Sequence, residues 1–128
     1  MGTSILVVAL GGAAGSVARF LVATWAARAL GTTFPYGTMI VNVVGSLLIG
    51  LIMHVSLTTT LISPTLRLLL TTGVMGGFTT YSTFNYETMS LLEQGAFALA
   101  GLNLGGTVVA CLVGGWLGLI GGRLLVGG

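Results

Sequence analysis

Four apolar stretches follow one another in this chain with only a few residues between them, and each is long enough to cross a bilayer. A spanning helix needs roughly 20 apolar residues. In hydrocarbon every backbone polar group must be satisfied within the protein, so such stretches become helices. The first runs from about residue 4 to 30 and ends at Gly31-Thr32-Thr33-Phe34-Pro35. The second runs from about 37 to 57 and ends in Thr58-Thr59-Thr60. The third, about 64 to 93, starts at Ser63-Pro64, which reads as an N-cap followed by a first-turn proline. The fourth runs from about 96 to 125. The expectation is an all-α membrane protein, a single four-helix transmembrane domain over residues 1–128.

Composition agrees. Charged residues make up 5% of the chain, against roughly a quarter in a soluble domain. Mean hydropathy is +1.09. The charged side chains are Arg19, Arg28, Arg67, Arg123, Glu87 and Glu93, with no lysine. A net charge of +2 without a basic stripe argues against nucleic-acid binding. The single cysteine leaves no internal disulfide and no multi-cysteine metal motif. The N-terminus lacks the basic region of a cleavable signal peptide.

The third stretch is unlike the others. Gly76-Gly77-Phe78-Thr79-Thr80-Tyr81-Ser82-Thr83-Phe84 sets glycines, hydroxyls and aromatics at membrane depth. Paired glycines before two threonines predict a break near 76–79. Carbonyls freed there need a partner, because lipid offers none. A cation is one such partner and a polar cavity another. Tyr81 and Phe84, three apart, share a helix face. Aromatic rings carry a positive edge. Ring edges beside the hydroxyls of Ser82 and Thr83 make an anion path without a charged group.

Polar side chains inside spans are functional candidates by default. Asn42 has an amide that either donates to an anion or holds a neighbouring helix. Asn103, Thr107 and Cys111 recur every four residues and form one polar stripe on the fourth helix. That stripe is a path wall or a set of interhelical hydrogen bonds. Arg19 lies deep in the first span, where it snorkels, lines an aqueous vestibule and draws anions in, or pairs with Glu87. His54, Trp25 and Trp116 read as interfacial or packing residues.

Glycines at four-residue spacing (Gly11/Gly15, Gly101/Gly105, Gly114/Gly118, Gly118/Gly122) let helix backbones approach closely in lipid. Four thin helices hardly enclose a polar path alone, so some of these faces are expected to pack between subunits. The arginines show almost no bias between the two sides. Charge alone leaves open both a single topology and a pair of oppositely inserted copies.

Taken in order, these motifs resemble the Fluc (CrcB) family of fluoride ion channels. The resemblance covers nearly the whole chain. It rests on the first-helix run Gly11 to Phe20 with Arg19, on Gly37-Thr38-Met39-Ile40-Val41-Asn42-Val43-Val44-Gly45, and above all on Gly76 to Phe84. It implies a dual-topology, antiparallel homodimer with two pores that exports fluoride passively across the plasma (inner) membrane of a microbe. It implies a structural sodium ion at the dimer centre, held by backbone carbonyls of Gly76 and Thr79. The fluoride pore would be Asn42, Tyr81, Phe84, Ser82, Thr83, Asn103, Thr107 and Cys111, with Arg19 near a vestibule. Three positions depart from the family pattern. Tyr81 stands where phenylalanine is usual, Asn103 where a larger aromatic or histidine is expected, and Cys111 where a small hydroxyl residue is expected.

Two other classes compete. A small dual-topology four-helix multidrug or cation transporter has similar size, but such transporters carry a membrane-embedded glutamate in the first helix, and here that helix holds only Arg19. A membrane assembly subunit would explain the glycine faces but not a broken helix followed by hydroxyls and ring edges. An enzyme is not expected, since no nucleophile–base pair or phosphate loop is visible.

Overall fold

The computed structural model describes residues 1–128, and every regular element is helical. Helix α1 covers Gly2–Leu30 and α2 covers Tyr36–Thr58. The third crossing is divided into α3, residues 64–78, and α4, Tyr81–Glu93. Helix α5 covers Phe97–Val126. Helices α1, α2 and α5 are each long and apolar enough to cross a membrane. This is a multi-pass membrane protein. Only 20 of the 128 residues are buried, so most apolar side chains face outwards, where lipid receives them.

The start of α3 is set as its sequence predicts. The Ser63 hydroxyl accepts the Leu66 N–H at 3.1 Å, and Pro64 occupies a position whose N–H would have no partner. The break beyond it has a different cause from the expected one. Gly76 keeps helical angles (φ −59°, ψ −38°), and the helix continues through Phe78. The chain leaves the helix at Thr79 (φ −87°, ψ 161°) and Thr80 (φ −153°, ψ 119°). The β-branched threonines suit this extended backbone. Gly77 is needed for contact instead, since a Cβ there would lie 2.5 Å from the Gly12 carbonyl oxygen of α1. Two stretches are wound more widely than an α-helix, as π-helical turns: Leu69–Met75 within α3 and Leu102–Gly106 within α5.

Glycine faces set the helix pairs. Gly11 and Gly15 of α1 lie against the α3 backbone around Leu69, Gly73 and Val74. Gly114, Gly118 and Gly122 of α5 lie against Val43, Leu47 and His54 of α2. Gly101 and Gly105 meet nothing and leave their face of α5 open. A Cβ on Gly118 would run into the Leu47 carbonyl oxygen, and backbone does not yield as a side chain does. Gly118→Val is therefore expected to cost about 3 kcal/mol or more, at the upper end of overpacking. Size-exclusion chromatography of the detergent-extracted protein should show loss of the folded species.

His54 is buried and ties down the C-terminal end. Its Nε2–H donates to the Gly127 carbonyl at 2.8 Å, while the Thr58 hydroxyl donates to the His54 carbonyl at 2.7 Å.

Candidate functional site

The break in the third crossing is held from two sides. Asn42 reaches over from α2 and its amide engages Thr80 twice. Nδ2–H donates to the Thr80 carbonyl at 3.0 Å, and Oδ1 accepts the Thr80 N–H at 2.8 Å. The side-chain amide thus replaces the backbone pairing that the break removes. Arg19 reaches over from α1, and its Nε–H donates to the Gly77 carbonyl at 3.0 Å. Thr79 folds back on its own helix, its N–H and hydroxyl both donating to Met75 at 3.0 Å. Thr80 then starts α4 as N-cap, its hydroxyl accepting the Thr83 N–H at 3.2 Å. These bonds use the carbonyls of Met75, Gly77 and Thr80; none of them uses those of Gly76 or Thr79.

A cavity of about 520 Å³ opens beside the break. It brings together Asn42 of α2, Gly76 and Thr79 at the end of α3, Tyr81 and Phe84 of α4, and Thr107 and Cys111 of α5. Tyr81 and Phe84 stand edge to face, with centroids 5.9 Å apart and planes at 67°. Phe84 is buried, whereas Tyr81 is 79% exposed in the single chain. Cys111, the free thiol, is half-buried on the cavity wall. The wall also contains Ser46, Thr71 and Thr80, which the sequence reading did not assign. Ser46 was detectable: it lies four residues after Asn42, on the same face, and donates to the Asn42 carbonyl at 2.7 Å.

Four candidates lie elsewhere. Ser82 and Thr83 follow Thr80 on α4 but do not line the cavity. Asn103 has no exposed surface, and its Nδ2–H donates to the Thr88 hydroxyl of α4 at 2.9 Å. The Thr107 hydroxyl donates to Asn103 Oδ1 at 3.3 Å. The α5 stripe is therefore divided, with Asn103 in an interhelical bond, Thr107 in both roles, and Cys111 on the wall. Arg19 lies off the wall and on the break.

A second cavity of about 220 Å³ lies between the start of α2 and the far part of α4, lined by Thr33, Thr38, Glu87, Ser90 and Gln94 among others. Glu87 Oε1 is buried there without a hydrogen-bond partner. Glu87 and Arg19 do not form the alternative pair: Glu87 Oε1 has no partner, and Arg19 turns its Nε–H to Gly77.

A protein-family model described as "CrcB-like protein, Camphor Resistance (CrcB)" matches residues 6–119. The chain belongs to the CrcB family. Among curated CrcB relatives, one from Sorangium cellulosum (strain So ce56) is 52% identical over 121 residues, covering 94% of this chain and 95% of the relative. One from Geobacter sulfurreducens is 54% identical over 123 residues, covering 96% and 99%. One from Anaeromyxobacter sp. (strain K) is 58% identical over 109 residues, covering 85% and 86%. Each of these relatives is named "Fluoride-specific ion channel FluC".

A cation at the break would have to be held by oxygen atoms. No group of three or more His, Cys, Asp or Glu side chains comes together in the chain, so a bound metal ion would depend on backbone oxygen. Gly76 and Thr79 offer such oxygens beside the cavity. Carbonyl oxygens can replace the hydration shell of an alkali cation.

Proposed function

We propose that this chain forms a fluoride-selective ion channel in the cell membrane of a microbe. It works as an antiparallel homodimer with two pores and a structural sodium ion at its centre. The observation that carries the reading is the cavity at the helix break, which the Asn42 amide, the Thr80 hydroxyl and the edge-to-face pair Tyr81–Phe84 line together. The names of the curated relatives support the same ion.

Fluoride is a small, strongly hydrated anion, and burying it bare in hydrocarbon is prohibitive. The uncommitted hydroxyl protons of Thr80 and Tyr81, the second Asn42 amide proton and the ring edges replace part of its water. They hold it only moderately, as conduction requires. Asn42 keeps one Nδ2 proton beyond the one given to Thr80. Larger halides gain less from close donors and fit the path worse. Ser82, Thr83 and Asn103 belong to the pore only beyond the cavity or with a second copy in place.

The second copy is supported by what one chain leaves uncovered. Tyr81 is largely exposed, Gly76 is exposed at the break, and the Gly101/Gly105 face of α5 is open. Two copies related by a two-fold axis would bring two pairs of carbonyls, from Gly76 and Thr79, towards one ion. When bound, sodium supplies a fixed positive charge near the path.

The deciding experiment is efflux from liposomes loaded with fluoride and chloride, followed with an electrode for each ion. Fluoride release without chloride release is expected. Equal release of both ions, or none from a folded sample, overturns the reading.

Cys111 provides a separate check. A positively charged methanethiosulfonate reagent added to the reconstituted protein is expected to abolish most fluoride efflux, because the adduct occupies the cavity. Cys111→Ser should conduct and resist the reagent.

A further inference from the structure

We propose that Arg19 is a positioning residue for the broken helix, and that its work is done through the Nε–H bond to the Gly77 carbonyl rather than through its charge. The inference rests on the channel reading and deepens it.

The geometry favours the bond over the charge. The broken segment is only four residues from Gly77 to Thr80, and each end is gripped by one side chain from a different helix. Asn42 of α2 holds Thr80 at 3.0 and 2.8 Å, and Arg19 of α1 holds Gly77 at 3.0 Å. Gly76 precedes the Arg19-held carbonyl, and Thr79 lies between the two grips. Their N–H groups bond back into α3, but none of the hydrogen bonds at the break uses their carbonyls, so the two grips on either side set where those oxygens point. Glycine contact adds to this on the α1 side, where a Cβ on Gly77 would also come within 3.0 Å of the Ser16 N. That close approach brings the Arg19 stem alongside the break. A free vestibule cation would have its donors in water. Arg19 is half-buried, and the nitrogen nearest its stem is spent on the protein.

Glutamine is the informative substitution. Its Nε2 lies the same number of bonds from Cα as the arginine Nε, so Arg19→Gln keeps a donor for Gly77 and removes the charge. Arg19→Met keeps a similar stem and removes both. Two quantities separate the roles. One is the sodium concentration that half-saturates thermal stabilisation of the detergent-solubilised protein, with N-methyl-D-glucamine as the replacing cation. The other is fluoride efflux from liposomes at low and high ionic strength.

Positioning predicts that Arg19→Gln stays near the wild type in both. Arg19→Met should need about tenfold more sodium and lose about tenfold in efflux, the effect expected for one hydrogen bond to a charged donor. Equal behaviour of Gln and Met variants overturns the proposal, most clearly if both lose efflux only at low ionic strength, as a steering charge would. If sodium stabilises none of the proteins but Gln and Met still differ in efflux, the sodium reading fails and the role of Arg19 stands. If wild-type sodium dependence is present and Gln equals Met, the sodium reading stands and the role of Arg19 fails.

Discussion

Replacing Phe84 by isoleucine is expected to lower fluoride efflux by roughly 30- to 150-fold, the rate equivalent of about 2–3 kcal/mol of lost anion stabilisation. Isoleucine keeps the site apolar and branched but has no ring edge. Phe84 is buried on the cavity wall and meets Tyr81 edge to face, so its loss also frees the Tyr81 ring. The stability cost should stay below that of truncation to alanine, because isoleucine fills most of the same volume. Size-exclusion chromatography should therefore return folded protein, and the electrode trace should be nearly flat. Efflux within twofold of wild type would remove the ring edge from the mechanism. Phe84→Tyr keeps the edge and should retain much of the flux.

Asn42→Leu is expected to damage both fold and flux. Leucine is close in size, so little packing is lost. The Thr80 N–H and carbonyl, however, lose the only partners the break gives them. An orphaned buried group costs about 1–3 kcal/mol, and because Thr80 is half-buried on the cavity wall the pair amounts to about 2 kcal/mol. The thermal midpoint in detergent should drop sharply and efflux should vanish. Asn42→Asp makes a useful contrast. Its carboxylate still accepts the Thr80 N–H but cannot donate to the carbonyl, and it puts a negative charge on the wall of an anion path. It should recover part of the stability and none of the flux. A Leu variant as stable as the wild type would show that the two bonds to Thr80 do not hold the break.

Much of this was legible from residue order. Helix spans follow from apolar length, and the α3 start follows from Ser63-Pro64, a local signal that needs no tertiary contact. Tyr81 and Phe84 meet because three residues on a helix fix their relation. The break was expected near 76–79 and lies at Thr79 and Thr80, so the paired glycines were credited with what the threonines do. Glycine next to threonine looks like helix breaking in one dimension. Only the approach of Gly12 and Ser16 shows that Gly77 is there for contact. Arg19 was beyond sequence reasoning for the same reason, since its partner is a backbone atom 58 residues away. Spacing also could not divide the α5 stripe. Asn103, Thr107 and Cys111 share a face, but the π-helical turn over Leu102–Gly106 and the proximity of α4 send the first inwards and the last to the cavity.

The Asn103–Thr88 bond has a consequence for assembly. Between apolar helices in lipid, sliding one past another by a turn, about 5.4 Å, meets little resistance from greasy side chains alone. Here such a slide would strand an amide and a hydroxyl in hydrocarbon, so the pair acts as a vernier stop on vertical offset. Thr107 is bonded to the same amide, one turn along α5, and Cys111 follows one turn later. The depth at which the α5 wall groups stand relative to Phe84 is thereby fixed at a bond outside the cavity. Asn103→Leu should leave every wall residue in place by identity yet let their heights drift, producing a channel whose defect is misalignment.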